Sequence, residues 1–358
     1  MKSARIGILG CGNVSHMYLP ILVRTPAVEI VAVADVDSEA ATAAAKQYEV
    51  DRAVSPDELL ADPSIEIIVN LTPIAAHVES TRAALAAGKH VYSEKSLATS
   101  VADAQALLAE AQRRGLALAC APDTLLGTGF AVAREALDSG RIGRKLSANA
   151  AMFRSAMSTP SFYSNGPTPF FDMAPYYLSA LVTLFGPVTR VSGATRTWPV
   201  GEKGVETADG ASIAVSGVLE FAAGGTANLT LSWGSAHRSE VPVLDVFGTE
   251  GVIAFPNPNN FGDPAYIRPY ADADGTELAG SRQPEKWPRN LRGLGVAEMA
   301  VALQEGRTPR AAGDLAGHVV DIVAGLVRSG ESGQRVELTT TCTPPEPMPA
   351  ALRDELLA

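Results

Sequence analysis

RIGILGCGNVSH, residues 5–16, passes from a short apolar run through two closely spaced glycines into a segment with helical periodicity. A strand that ends on Gly10-Cys11-Gly12-Asn13-Val14-Ser15 and opens a helix has the layout of the first turn of a dinucleotide-binding βαβ unit. Gly10 permits the tight turn, and Gly12 lets the backbone approach a pyrophosphate at the positive end of the helix. The usual third glycine is Ser15 here, so the glycines alone are a weak signal. A second strand pattern, EIVAVADVD, strengthens it by ending at Asp35, 20 residues after Ser15. A carboxylate there hydrogen-bonds ribose hydroxyls and repels a 2′-phosphate. Val36 follows in place of an arginine, which favours NAD over NADP. The competing reading is a glycine turn in a doubly wound domain that holds no ligand.

Working outward, the first third of the chain repeats strand and helix. RIGILG, EIVAVAD, IEIIVNLT, HVYSEK and LALACAP read as buried strands. SHMYLPILVRT, SEAATAAAKQY, SPDELLAD, HVESTRAALAAG and SVADAQALLAEAQRRG read as helices between them. Ser55 is the expected N-cap of SPDELLAD, with Pro56 at its first position. This alternation predicts a parallel sheet with helices on both faces. After about residue 122 the rhythm changes. TGFAVAREALDSGRIG is helical, KLSANAAMFR is strand-like, and SIAVSGVLEFAAGGTANLTLSW and VPVLDVFGTEGVIAFP read as hairpins. Helices return at GLGVAEMAVALQEG and DLAGHVVDIVAGLVRSG. PNPNNFGDP reads as a surface loop, and TPPEPMPA as a solvated or loosely docked strap. The fold class is α/β: a Rossmann domain over residues 1–122, then an α+β domain over 123–358 with an open, mostly antiparallel sheet.

Bulk properties narrow the function. A chain of 358 residues is too long for one typical core. The net charge of -10, without a run of Lys and Arg, disfavours nucleic acid and anionic membrane surfaces as partners. The three cysteines, Cys11, Cys120 and Cys342, show neither metal spacing nor a disulfide framework. With no leader-like segment and no long apolar run, the expectation is a cytoplasmic protein. The five histidines include no pair at ligand spacing, so no metal is expected.

Open parallel sheets bind ligands at the carboxyl ends of their strands, which gives several residues the right address. VNLTPIAAH places Asn70, Leu71 and Thr72 at one strand end, with Pro73 starting a helix and His77 one turn in. HVYSEKSLA ends another strand with Glu94 and Lys95. For His77 and Lys95 the plain alternatives are a helix-surface histidine and a solvated loop lysine. Further along, FFDMAPYYLS, residues 170–179, spaces Asp172 and Tyr176 one helical turn apart. That spacing suits a proton-transfer pair. It equally suits a helix cap followed by core aromatics, Tyr177 among them. Asp123, near a strand end, and Tyr177, Trp287, Arg289 and Arg292 are weaker candidates for a substrate cleft.

The sequence resembles the Gfo/Idh/MocA oxidoreductases over nearly its whole length. The resemblance is carried by GILGCGNVS, AVADVD, NLTPIAAH, GKHVYSEKSLA, APDTLLGTG, FFDMAPYYLSALVTLFGPV and VFGTEGVIAFP. It implies an NAD(P)-dependent enzyme acting on a sugar, cyclitol or related polyol, assembled as a homodimer or homotetramer through the C-terminal sheet. It places the family's EKP lysine at Lys95, near substrate and nicotinamide, and the aspartate of its D-x-G-x-H motif at Asp172. The motif's acid/base histidine falls on Tyr176, as in dihydrodiol dehydrogenase-like branches. Ser96 replaces the family's proline, a change that bears on how Lys95 is aimed. Alcohol oxidation needs a base for the hydroxyl proton. A phenol serves where cationic neighbours favour its ionised form, and Lys95 and oxidised nicotinamide are the candidates. Asp172 is then a partner for a substrate hydroxyl or for Lys95. The resemblance leaves two rivals open: a family member that retains NAD and epimerises, eliminates or cleaves glycosides by transient oxidation, and a non-enzymatic nucleotide- or sugar-sensing protein.

Overall fold

The computed structural model describes residues 2–154, 169–196, 214–233, 243–270 and 274–358. Ser212, Ile213, Val241 and Pro242, read from sequence as strand residues, lie outside them. The chain divides into two compact units. One comprises Met1–Leu126, Glu285–Gly317 and Met348–Ala358; the other comprises Gly127–Pro284 and His318–Pro347. A single boundary after residue 122 does not describe this division, because the chain returns twice to the first unit.

The first unit is built on β1 (Ala4–Leu9), β2 (Val28–Ala34), β3 (Ala53–Val54), β4 (Ile67–Asn70), β5 (His90–Ser93) and β6 (Leu118–Cys120). They form one sheet in the order β3-β2-β1-β4-β5-β6, with every pairing parallel. The helices are α1 (Ser15–Leu22), α2 (Ser38–Gln47), α3 (Pro56–Ala61), α4 (His77–Ala86) and α5 (Val101–Arg114). The strands read as unbroken apolar runs because both faces are covered: Ile6, Ile8, Ile67, Ile68 and Val69 are all fully buried. Each such side chain contributes about 1.5–3 kcal/mol by leaving water. α3 starts with the expected Ser55 cap, reciprocated by Glu58 as a capping box, and with Pro56 at its head.

The same register lines up the strand ends. Leu9 lies opposite Ala34 and Asn70, Asn70 opposite Ser93, and Ser93 opposite Cys120. The loop residues that follow therefore leave the sheet side by side, at the edge where strand order reverses between β1 and β4. Residues 285–317 join this unit through α8 (Leu294–Gln304), which packs on α1. The Asn290 side chain donates to the Met17 carbonyl at 2.9 Å. The tail closes with α10 (Ala350–Leu356), whose Arg353 Nη1 donates to the Leu126 carbonyl at 3.2 Å.

The second unit carries α6 (Thr128–Asp138), β7 (Lys145–Arg154), α7 (Pro169–Phe185), β8 (Val188–Arg196), β9 (Ala214–Phe221) and β10 (Thr226–Trp233). Beyond these come β11 (Leu244–Gly248), β12 (Gly251–Ala254), β13 (Tyr266–Pro269), β14 (Thr276–Glu277), the greater part of α9 (Gly313–Ser332), and β15 (Val336–Glu337). Its nine described strands run β14-β13-β12-β11-β7-β10-β9-β8-β15, antiparallel except between β7 and β10. Strand alternation gives it one packed face. Val191, Leu219, Ala227, Ala148, Val246, Ile253 and Ile267 form a continuous buried row across it. One residue over, Val218, Asn228, Asn149, Asp245, Ala254 and Tyr266 make the opposite row, mixed in polarity, with Val218 and Tyr266 exposed.

Two sequence expectations change here. The stretch 256–264 is not a surface loop: of its residues only Asn260 is exposed, and Phe261 is buried. The Asp263 carbonyl stands 2.2 Å from where a Cβ on Gly129 would be, so the loop lies directly on α6 and needs a glycine beneath it. The tail strap is docked rather than loose, since Arg134 donates to the Pro345 carbonyl at 2.5 Å. Among the described residues, no helix is long and apolar enough to cross a membrane.

Candidate functional site

At the β1 end, Gly10 takes φ +103°, a left-handed conformation that side chains rarely adopt. A Cβ there would stand 2.7 Å from both the Leu71 carbonyl carbon and the Thr72 nitrogen, so the loops after β1 and β4 touch through Gly10. Around a Cβ on Gly12, by contrast, there is no atom within 4 Å. Gly12 and Asn13 are exposed, and α1 begins at Ser15 with no side-chain cap. Open space beside uncapped amides at a helix N-terminus is what a pyrophosphate requires.

Asp35, one residue past β2, is fixed by its neighbours. Its Oδ2 accepts from the Cys11 N–H at 2.7 Å, and its Oδ1 accepts from the Asp37 N–H at 3.0 Å. Each oxygen keeps a lone pair for a ribose hydroxyl. Cys11 thus orients the acid instead of offering its amide to a phosphate. Its thiol is inert: burial, and then the charge of Asp35, push it up to about 12. The residues present fit a dinucleotide.

The β4 end is knitted together by Asn70, which is fully buried. Its Oδ1 accepts from the Thr72 N–H at 3.2 Å and hydroxyl at 2.7 Å, while its Nδ2 reaches Thr81 Oγ1 at 3.1 Å. Leu71 is buried, Thr72 half-buried and Pro73 exposed. His77 departs from the sequence expectation. It opens α4 rather than sitting one turn in, because a 3-10 turn, Ile74–Ala76, precedes it. It is 1 % exposed, with Nδ1 2.7 Å from the Ser96 carbonyl and Nε2 2.8 Å from the Thr72 carbonyl, of which the neutral ring donates to one. It therefore ties two loops together instead of reaching a ligand. Burial lowers its proton affinity, and the two carbonyls and Glu94 act in the opposite direction.

After β5, Glu94 is buried, Lys95 half-buried and Ser96 buried. Glu94 Oε1 accepts from the Tyr18 hydroxyl at 2.6 Å, and Oε2 accepts from the Lys95 N–H at 2.9 Å. Glu94 is thus occupied inside the protein, contrary to its expected place against the cofactor. The Lys95–Ser96 peptide is cis, a geometry the family's proline would have permitted, although serine stands here. Asp123 is also displaced from its expected role. It is 2 % exposed, and its Oδ2 accepts from the N–H groups of Gly293 and Gly295, both at 3.0 Å, at the start of α8. Burial raises it to about 6, against the pull of those two amides and Arg292. Arg289 is exposed.

Asp172, Tyr176 and Tyr177 belong to the second unit, all on α7. The helix begins at Pro169, so Asp172 lies in its first turn and does not cap it. Pro175 falls in the interior, where it removes the N–H that would meet the Phe171 carbonyl. Tyr176 is 5 % exposed and Tyr177 2 % exposed.

Tyr18 is the residue sequence reading passed over. It looked like one more apolar position on α1, yet a buried phenol needs a partner, and that requirement was the available signal. Among the described residues, no group of three or more His, Cys, Asp and Glu is arranged to hold a metal ion.

Comparison with known proteins accords with this geometry. The model of an oxidoreductase family with an NAD-binding Rossmann fold matches residues 4–121, and that of the GFO/IDH/MocA C-terminal domain matches residues 130–254. A dTDP-3,4-didehydro-2,6-dideoxy-alpha-D-glucose 3-reductase of Streptomyces violaceoruber is 36% identical over 152 residues, 42% of this chain and 44% of that protein. The match thus spans less than half of that relative's length. An uncharacterised oxidoreductase of Rhizobium meliloti, ORF334, is 29% identical over 285 residues, covering 78% of this chain and 82% of its own. A levoglucosan dehydrogenase in complex with NADH and L-sorbose shares the fold with a TM-score of 0.81 at 19% identity, over 95% of this chain and 100% of that one.

Proposed function

The chain belongs to the Gfo/Idh/MocA oxidoreductase family, and on that premise we propose that it is an NAD-dependent enzyme that oxidises or reduces a secondary alcohol or carbonyl of a sugar, cyclitol or related polyol. The observation that carries the cofactor half is Asp35, oriented by the Cys11 and Asp37 N–H groups and followed by an exposed Val36. Asp35 binds the ribose hydroxyls and excludes a 2′-phosphate, while Gly12, Asn13 and Val14 admit the pyrophosphate at the head of α1. Bound nicotinamide supplies the hydride acceptor or donor.

The protein's own part is to hold the substrate and move its proton. Lys95 hydrogen-bonds the reacting oxygen and stabilises negative charge on it. Tyr176 gives or takes the hydroxyl proton, and Asp172 accepts from a neighbouring substrate hydroxyl. A sugar-like substrate is supported by the activities of relatives, a sugar-nucleotide 3-reductase and an inositol 2-dehydrogenase among them. The outward face of the second sheet, with Val218, Phe247 and Tyr266 exposed, is the surface through which the chain forms a homodimer or homotetramer.

The test uses Lys95→Ala and Tyr176→Phe on a panel of polyols, sugars and keto-sugars, with nicotinamide fluorescence reporting binding. Each variant should lose about a hundredfold or more in turnover, with NADH affinity held within about threefold. Full turnover in both variants sinks the catalytic assignment. Tighter binding of NADPH than of NADH sinks the assignment of Asp35.

A further inference from the structure

We propose that Tyr18 is a positioning residue for Lys95, acting through Glu94, so that the helix offered to the pyrophosphate also sets the loop that carries the lysine. The inference rests on the catalytic reading of Lys95 given above, but the connection itself stands on geometry within the first unit. Tyr18 lies on α1, three residues after its first, and is fully buried. Its hydroxyl crosses 76 positions of sequence to donate to Glu94 Oε1 at 2.6 Å. The other oxygen of the same carboxylate, Oε2, accepts from the Lys95 N–H at 2.9 Å. One buried carboxyl group therefore joins α1 to the Lys95 backbone, with one oxygen given to each side.

Tyr92 packs edge-on against Tyr18, with ring centroids 6.4 Å apart. The Cys120 thiol is directed to the Glu94 backbone carbonyl at 3.5 Å. Asp123, the second acid nearby, is committed to Gly293 and Gly295. Burial and the charge of Glu94 push the Tyr18 phenol well up, so it remains a neutral donor. A hydroxyl that served packing alone would gain nothing from this placement. A phenylalanine fills the same apolar space, and burying an unpaired hydroxyl is costly. The rest of the Lys95 segment is held independently. The Glu94 N–H donates to the Asn70 carbonyl at 2.8 Å, and the Ser96 carbonyl faces His77. Tyr18 therefore governs one restraint among several: the direction of the peptide that leads into Lys95.

The test is Tyr18→Phe in the full chain, which keeps the ring and removes the hydrogen bond. Hydrogen–deuterium exchange at the Lys95 amide should quicken about tenfold, while exchange in β1 and β5 stays at wild-type rates. NADH affinity, read by fluorescence, should stay within about twofold, and kcat on an accepted substrate should fall about tenfold with KM little moved. Wild-type exchange at Lys95 overturns the proposal. So does a loosening spread across α1 and β1, which marks Tyr18 as packing only. If the wild-type protein turns over nothing on the panel, the catalytic reading of Lys95 fails, and the exchange measurement still decides whether Tyr18 holds Lys95. Should Tyr18→Phe not fold, Glu94→Gln keeps the size and one acceptor and is read in the same way. Faster exchange confined to Lys95 supports the link, and unchanged exchange overturns it.

Discussion

Asp123→Asn should make the protein's stability respond to pH differently from wild type, in a direction and amount set by burial. The carboxyl of Asp123 is raised from 3.8 to about 6, chiefly because it lies in the interior at 2 % exposure. Between those two values the folded protein holds a proton that the unfolded chain has released. The folded state then binds more protons, so stability falls as pH rises through the window. The difference of about 2.2 units, at about 1.4 kcal/mol each, amounts to about 3 kcal/mol, of which about 2 kcal/mol is lost between about pH 4.5 and about pH 8. Asparagine retains a carbonyl oxygen for the Gly293 and Gly295 N–H groups and carries no charge to desolvate. Urea unfolding of both proteins across that range gives the comparison. The stability of Asp123→Asn relative to wild type should rise by about 2 kcal/mol from the acid end to the alkaline end, whatever its offset. Taking the difference cancels the titration of every other group left unchanged. A relative stability flat to within about 0.5 kcal/mol, or falling with pH, would refute burial as the force acting on Asp123.

Gly10→Ala should cost about 2–6 kcal/mol, the sum of a side chain held at φ +103° and a Cβ driven within 2.8 Å of three backbone atoms of Leu71 and Thr72. Thermal unfolding and NADH titration should both report the loss, and a variant with wild-type values for both contradicts the close contact of the two loops. His77→Ala should cost about 1–3 kcal/mol by removing the single N–H that the neutral ring donates to the Thr72 or the Ser96 carbonyl. Because burial lowers the proton affinity of His77, wild type loses stability as pH falls below about 6.5. The gap between His77→Ala and wild type should therefore narrow toward acid pH, and a gap that widens contradicts this.

What the sequence made legible was whatever has a short period or a local signature. The six-stranded parallel sheet followed from apolar runs alternating with helices, and the hairpins at 214–233 and 244–254 from strand patterns meeting at glycine-bearing turns. Gly10 and Asp35 stand out in the sequence because the turn glycine and the strand-end acid are spaced within one βαβ unit. Residues held by a distant partner carry no such signal. The strand-end addresses of His77, Glu94 and Asp123 point toward a ligand, since that is where ligands bind. Their partners lie 19, 76 and 170 residues away, and no periodicity encodes them. β3 was unread because two residues are too few to show alternation.

That pattern has a physical cause, and it reshapes the picture of the site. A crevice at the end of a parallel sheet is walled by loops that lack the sheet's own ladder of hydrogen bonds, so their backbone groups must be satisfied from elsewhere. In this protein polar side chains of the interior do that work. Asn70 holds Thr72, His77 joins Thr72 to Ser96, Glu94 holds Lys95, and Cys11 lends its amide to Asp35. The strand-end residues thus divide between those we propose to meet ligands, such as Gly12, Asp35 and Lys95, and those whose side chains hold the neighbouring loops in place. A sequence shows that both kinds share an address. Only the hydrogen bonds separate them, and they move His77, Glu94 and Asp123 from contact to support while adding Tyr18, whose place in the chain gave no hint of a connection to Lys95.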